Sequence, residues 1–162
     1  MGKYVMKQDW FCLGTDYTIK DAAGEDVIRV DGKVFSFGDT LTIEDMTGRK
    51  LALIDQKLLA WGPTYEIWKN NALAAVVKKT VFTLFRCEFT VDVPGPDDLL
   101  AEGDFWEHEY TFVRGGRPVA SVSKKYFSWA DTYGIDIQHG QDPILILASA
   151  VVIDLCCHQD KR

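Results

Sequence analysis

The chain has 162 residues, of which 47% are hydrophobic and 26% are charged, as is usual for a soluble globular protein with a buried core. Its formal charge is −6 at pH 7. Nucleic acids and anionic membranes attract basic surfaces, so this charge argues against both as bulk partners. We expect a single domain over residues 1–162 and no nucleic-acid partner.

No targeting signal is evident in the chain. Residues 1–6 lack the apolar run of a secretory signal, and Met6 stands where a myristoylation motif needs Ser or Thr. The four cysteines, at positions 12, 87, 156 and 157, show no C-x-x-C spacing. This usage is typical of a reduced intracellular protein and predicts a cytoplasmic location, with peripheral attachment to a membrane left open.

Four stretches of seven residues repeat one pattern along the chain. An apolar residue is followed by Ala or Ile, then by Val or Ile two positions later, and then by Lys three positions after that. The stretches are residues 27–33, 51–57, 73–79 and 119–125. The second and fourth residues of each stretch are two positions apart, which is the spacing of side chains on one face of a strand. They are Ile28/Val30, Ala52/Ile54, Ala74/Val76 and Ala120/Val122.

Each stretch follows a short β-rich run and a polar turn. The runs are residues 17–19, 41–43, 65–67 and 110–112, and the turns are residues 21–24, 45–48, 69–71 and 114–116. Gly or Asn in these turns supplies the positive φ that tight hairpins need. Residues 89–93, followed by Pro-Gly-Pro, fit a degenerate copy. Repeated hairpins favour closure, which removes sheet edges, and the pattern therefore predicts a mostly-β, closed antiparallel barrel of about twelve strands.

The C-terminal segment predicts one apolar helix. Asp142 can cap it, Pro143 is tolerated at its first position, and residues 144–153 are all apolar or small. Such a helix belongs in a core or in a membrane. Over residues 143–157 it would be about 22 Å long, short of the roughly 30 Å of a bilayer core. We expect it to thread the barrel, and a membrane-inserting tail is the alternative. Small inward residues could let it pass close to the strands at Ala52, Ala74 and Ala120.

Several motifs carry a family resemblance over about residues 11–155. They are DYTIKD at 16–21, VDGKVFSFGD at 30–39, PTYEI at 63–67, GDFWEHEY at 103–110 and VSKK at 122–125. Together they resemble the LURP-one-related family, whose fold is similar to the tubby C-terminal domain and to phospholipid scramblases. The resemblance implies a barrel around a central apolar helix. Tubby relatives bind phosphoinositides through basic surface residues. Because the chain lacks an acylated cysteine-rich stretch and a recognisable Ca²⁺ loop, scramblase activity is not carried over.

The recurrent lysines are the first candidate site. If the repeats are related by rotation about the barrel, these side chains lie at similar heights and could converge on an anionic headgroup. They are Lys33, Lys57, Lys79 and Lys125, with the neighbours Lys78 and Lys124. The alternative is that lysines end the strands because they solubilise and protect edges.

An acidic cluster is the second candidate site. Carboxylates with one His could hold a divalent ion. The cluster consists of Asp97, Asp98, Glu102, Asp104, Glu107, His108 and Glu109. If the stretch is a strand, His108 points away from its two glutamate neighbours, which favours a solvated loop and strand edge. We predict no metal ion and no cofactor.

Catalytic patterns are absent from the sequence. It contains no G-x-S-x-G, no P-loop and no dinucleotide-binding glycine motif. Cys156 and Cys157 end the helix, where a buried structural role is favoured over reactivity. The five tryptophans are expected to fill the ends of the core, with a ligand pocket as the alternative. They are Trp10, Trp61, Trp68, Trp106 and Trp129.

The sequence thus predicts a non-enzymatic binding or scaffold domain that recognises phospholipid or phosphoinositide headgroups at a membrane surface. Two alternatives stay open. One is a protein-interaction or regulatory domain with no lipid ligand, and the other is a small-molecule enzyme.

Overall fold

In the computed structural model, residues 2–9, 16–35, 38–57, 62–83, 86–125 and 132–158 are described, with the backbone alone at residues 9, 33–35, 81–83, 86 and 158. Twelve strands run antiparallel to their chain neighbours, and β1 pairs with β12 to close a barrel. The strands are β1 (Gly2–Asp9), β2 (Asp16–Asp21), β3 (Asp26–Phe35), β4 (Gly38–Asp45), β5 (Lys50–Lys57), β6 (Thr64–Lys69), β7 (Ala72–Thr83), β8 (Arg86–Asp92), β9 (Leu99–Asp104), β10 (Glu109–Arg114), β11 (Arg117–Ser123) and β12 (Thr132–Ile137). The predicted closed barrel is confirmed.

Side chains alternate between the barrel interior and its outer surface. In β2, Tyr17 and Ile19 are fully buried, whereas Thr18 and Lys20 lie on the outer side and are partly exposed. The strand pleat produces this alternation because successive side chains point to opposite faces. The inner faces of the described strands are mostly apolar, with Gln8 on β1 as a buried polar exception, and they form one continuous core with the C-terminal helix.

The helix α1 (Pro143–His158) fills the barrel, as predicted. All side chains from residue 145 to residue 155 are buried, whichever side of the helix they occupy. Asp142 caps the helix, since its Oδ1 accepts hydrogen bonds from the backbone N–H groups of Ile144 at 3.1 Å and Leu145 at 3.3 Å. Lys69 on β6 forms an ion pair with the other carboxylate oxygen of Asp142 and ties the start of α1 to the barrel wall. Among the described residues, no helix is long and apolar enough to cross a bilayer.

A β-bulge follows the turn in each of four hairpins, and it corrects the predicted register of the third repeat. The extra residue in each bulge is Val27, Leu51, Ala74 or Val119. Ile67 pairs with Ala75, so Ala75 and Val77 face the interior. Ala74 and Val76 are only partly buried, so they share the outer face of β7, and the suggestion that Ala74 is a small inward residue was wrong. The gapless alignment failed because it matched Leu73, one residue before the bulge, to the bulge residues that begin the other three stretches.

The first two hairpin turns share one hydrogen-bonded geometry. Oδ1 of Asp21 accepts from the N–H groups of Ala23 and Glu25 at 2.9 and 3.0 Å. Oδ1 of Asp45 does the same for Thr47 and Arg49 at 2.9 and 3.0 Å. The Thr47 hydroxyl also donates to it, and this hydrogen bond is the main cause that lowers the pKa of Asp45 to about 2.

Enlarging the small inward residue on β7 is expected to destabilise the barrel. Ala75 is 1% exposed, and α1 lies close to β5, β6, β7 and β12. Ala75→Leu should therefore lower the free energy of unfolding by about 1–3 kcal/mol through overpacking. Urea denaturation followed by tryptophan fluorescence measures this change.

Two control variants on the same strand test the register. Ala72→Leu, at an exposed position, should change the free energy of unfolding by no more than about 0.5 kcal/mol. Ala74→Leu should cost less than Ala75→Leu. A larger cost at Ala74 than at Ala75 would contradict the observed register.

Candidate functional site

Two of the six predicted lysines lie in one row on the outer surface. Lys57 pairs in register with Thr64, and Thr64 pairs with Lys78 on the next strand. Each ammonium group already has carboxylate partners. Lys57 Nζ lies 2.7 Å from Asp55 Oδ2 and 3.4 Å from Glu66 Oε2, and Lys78 Nζ lies 2.9 Å from Asp92 Oδ2. The row therefore offers little positive charge to an external anion.

The other predicted lysines do not join this row. Lys79 is on the inner side of β7, where its Nζ lies 6.0 Å from the ring centroid of the buried Phe89. Lys124 and Lys125 follow β11, which three strands separate from β7, and their N–H groups donate to Oε1 of Glu109. The side chain of Lys33 lies outside the described part of the chain. Of the described lysines, the structure brings together only Lys57 and Lys78, because Lys79 faces the other side of β7 and the remaining two follow a distant strand.

A second outer row combines two cations that the repeat analysis missed. Lys7 on β1 pairs in register with Thr18 on β2, and Thr18 pairs with Arg29 on β3. Lys7 and Arg29 are exposed, and neither forms an ion pair or a side-chain hydrogen bond within the described part of the chain. Glu44 on β4 pairs with Arg29 and bounds the row on that side. We call Lys7, Thr18 and Arg29 the cationic row.

A groove of about 400 Å³ lies beside this row on the outer surface. Its floor includes Val5 and Gly134, which pair across β1 and β12. The β2–β3 turn forms one wall through Ala22 and Gly24. Lys3 and Asp136 also line it, and they too are paired across β1 and β12.

A buried polar cluster inside the barrel holds the far end of α1. Asp154 is 5% exposed; its Oδ2 accepts a hydrogen bond from the Tyr17 hydroxyl at 2.6 Å, and its Oδ1 lies 2.8 Å from Nε2 of His108. The His108 ring stacks on Tyr133 at 4.5 Å between centroids. Burial, with the charge of Asp154 as a further cause, raises the pKa of Tyr110 well above its usual value. Both ionisable partners are buried, with His108 6% exposed.

The acidic stretch does not form a metal site. Asp98 accepts a hydrogen bond from Val93 N–H, Asp104 accepts from Glu107 N–H, and Glu109 accepts from the Ser123 hydroxyl. Throughout the described ranges, no three His, Cys, Asp or Glu side chains are arranged to hold a metal ion. The interpretation of the stretch as a solvated edge was wrong for His108, which occupies a positive-φ turn position and turns into the core.

The cysteines at the end of α1 are held as neutral thiols. Burial is the main cause that raises the pKa of Cys156 to about 12, and the same cause raises the pKa of Cys157 to about 12. Nearby Lys79 opposes the shift without cancelling it. This environment favours the predicted structural role, because the thiolate is the reactive form.

The tryptophans do not fill the core where they are described. Trp68 lies on the outer side of β6, where its indole N–H donates to Glu66 Oε2 at 3.0 Å, and Trp106 is 50% exposed. Their prediction as core residues was wrong. The largest buried rings are instead Tyr17, Tyr65 and Tyr133. The remaining three, Trp10, Trp61 and Trp129, lie outside the described residues.

Fold and surface together define a class of protein: a closed antiparallel barrel that is filled by its own C-terminal helix and carries its grooves on the outside. A model of the LURP-one-related family matches residues 3–154, and the chain therefore belongs to this family. It is also 32% identical over 156 residues to the uncharacterized protein YxjI of Bacillus subtilis (strain 168), a match that covers 96% of this chain and 94% of that relative.

The fold also matches a solved structure. The X-ray structure of a protein from Arabidopsis thaliana superposes with a TM-score of 0.66 over 99% of this chain and 92% of that one. Sequence identity is 15%, so the likeness concerns the fold alone.

Removing the buried carboxyl group of α1 is expected to destabilise the protein strongly. Asp154→Ala leaves the Tyr17 hydroxyl and the His108 ring buried without this partner, at a cost of about 2–5 kcal/mol. Tyr17→Phe removes one hydrogen bond and keeps the other, and should cost about 1–3 kcal/mol. Chemical denaturation measures both, with Asp97→Ala at an exposed carboxylate as the control. An Asp154→Ala variant as stable as this control would contradict a structural role for the cluster.

The thiols of Cys156 and Cys157 are expected to resist modification in the folded protein. With a pKa of about 12, either thiol is almost entirely protonated at pH 8. Labelling with an aromatic disulfide reagent, followed by peptide mass spectrometry, should mark both residues only after unfolding in denaturant. If either thiol in the native protein were labelled as fast as the thiol of free glutathione, the end of α1 would have to open.

Proposed function

We propose that this chain is a non-enzymatic binding domain that recognises anionic phospholipid headgroups with the outer face of β1, β2 and β3. The observation that carries the proposal is the cationic row, in which Lys7 and Arg29 flank Thr18 without carboxylate partners of their own in the described part of the chain. The proposal concerns a local site, since the formal charge of the whole chain is −6.

An outer site is favoured because the interior is occupied. The barrel encloses α1, whose side chains from residue 145 to residue 155 are buried, and the inner strand faces pack against it. A ligand of headgroup size would have to displace this packing to enter. Ligand recognition on the outside requires no such rearrangement.

The cationic row has the chemistry that a phosphate group requires. Neighbouring strands are about 4.8 Å apart, so the Cα atoms of Lys7 and Arg29 are separated by about 10 Å, and both long side chains can reach one phosphate from opposite sides. The guanidinium fork of Arg29 can donate two parallel hydrogen bonds, and Lys7 adds a point charge. The carboxylates beside Lys57 and Lys78 make the other lysine row a poorer candidate.

Charge reversal in the cationic row is expected to weaken binding to vesicles. The wild-type chain should sediment with phosphatidylcholine vesicles that contain phosphatidylinositol 4-phosphate, and not with phosphatidylcholine alone. Lys7→Glu and Arg29→Glu should each lower the partition coefficient about fivefold or more, because one basic residue near a charged surface contributes about 1 kcal/mol. Binding should also fall as the salt concentration rises.

Lys57→Glu and Lys78→Glu are matched controls on the same outer surface, and they should leave binding nearly unchanged. Loss of binding in these two variants with retention in Lys7→Glu and Arg29→Glu would move the site to the other lysine row. A wild-type chain that binds none of these vesicles at low salt would contradict lipid recognition itself.

A further inference from the structure

The groove between β11, β12, β1 and the β2–β3 turn has the size of a small-molecule site. Its volume is about 400 Å³, within the range of about 300–1,000 Å³ that ligand pockets occupy. Apolar surface comes from Val5 and Ala22. Gly134 contributes no side chain at the floor, which is one reason for the depression.

Three polar residues form a straight row along this groove. Ser121 pairs in register with Asp136, and Asp136 pairs with Lys3, so a hydroxyl, a carboxylate and an ammonium group follow one another across three strands. All three line the groove and are exposed. Directly opposed residues have their Cβ atoms about 5 Å apart.

The three side chains of this row have no partners of their own among the described residues. Lys3, Ser121 and Asp136 make no side-chain hydrogen bond and no ion pair within the described ranges of the chain. By contrast, Lys20 is paired with Asp26 at 2.5 Å, and the Ser123 hydroxyl donates to Glu109 at 2.8 Å. Three unengaged polar side chains therefore lie together in this groove, as Lys7 and Arg29 do in the neighbouring cationic row.

We propose that this groove binds a small zwitterion with a primary ammonium group and a phosphate group. A simple anion would be attracted by Lys3 but repelled by Asp136. A simple cation would be attracted by Asp136 but repelled by Lys3. A zwitterion can satisfy both at once. Its ammonium group can donate hydrogen bonds to the Asp136 carboxylate and the Ser121 hydroxyl, which are both acceptors.

The opposite side of the groove suits the phosphate. Lys3 lines it from β1, and its ammonium group can donate several charge-assisted hydrogen bonds to the phosphate. The short apolar linker of the zwitterion then lies over Val5 and Gly134. The ligand occurs in two forms, either as free O-phosphoethanolamine or as the headgroup of phosphatidylethanolamine, and both carry the same pair of charges.

Titration calorimetry with free O-phosphoethanolamine tests the proposal. Lys3→Gln and Asp136→Asn should each weaken binding about tenfold or more, because each removes a charged hydrogen-bond partner. Phosphocholine should bind at least tenfold more weakly, since its quaternary ammonium has no N–H to donate. Inorganic phosphate and ethanolamine should each bind more weakly than the zwitterion.

Lys78→Gln and Asp92→Asn are matched controls, because they remove the same charges from an outer pair that is already joined at 2.9 Å. Thermal melting of all four variants shows whether they are folded. Vesicles of phosphatidylethanolamine and phosphatidylcholine, compared with phosphatidylcholine alone, then separate the two sources. Binding to the free compound only identifies a soluble ligand, and binding to the vesicles identifies a lipid headgroup.

Four results would overturn the proposal: no wild-type binding in either form, binding that survives both groove variants, phosphocholine binding as tightly as O-phosphoethanolamine, or an equal loss in the groove and control variants. None of these tests uses phosphatidylinositol 4-phosphate, so failure here is distinguishable from failure of the cationic row.

Discussion

A helix that is apolar on every side has to be enclosed on every side, and this requirement shapes the whole barrel. The side chains of α1 from residue 145 to residue 155 are buried around the full circumference. An open sheet would leave part of this surface in water, at a cost of about 25 cal/mol per Å² of apolar area. Closure of β1 onto β12 removes that exposure, and it also removes the two sheet edges. Small inward residues such as Ala52 and Ala75 lie on strands close to the helix.

One polar cluster interrupts this apolar interior and fixes how α1 sits in it. Apolar packing is tolerant of small rotations and shifts, whereas Asp154 reaches Tyr17 and His108 in one position of the helix only. The capping contacts of Asp142 and its ion pair with Lys69 hold the other end. The helix is therefore positioned at both ends by polar contacts and stabilised between them by burial. Since the interior is devoted to this arrangement, we propose that ligands are recognised on the outer surface.

The sequence predicts those parts of the structure that depend on local periodicity. The barrel, its turns and the central helix follow from two-residue strand spacing, Gly and Asn turns and an all-round apolar segment. Such patterns do not predict which residues far apart in the sequence come into contact. The Tyr17–Asp154 hydrogen bond joins residues 137 apart, and the pairing of Lys7 with Arg29 through Thr18 depends on register across three strands. A recurrent lysine marks a position along a strand, but Lys57 lies six residues after its bulge residue and Lys79 lies five after its own, so the two face opposite sides.

The bulges have a consequence for how this architecture can vary. The residues between paired strands number four in the β2–β3 turn and two in the β6–β7 turn, yet an inward residue follows the bulge directly in both hairpins. The length of the turn therefore does not change which side chains of the following strand face the interior. That rim of the barrel can accept longer or shorter loops while every core side chain keeps its place. It is therefore a practical location for grafting a foreign loop.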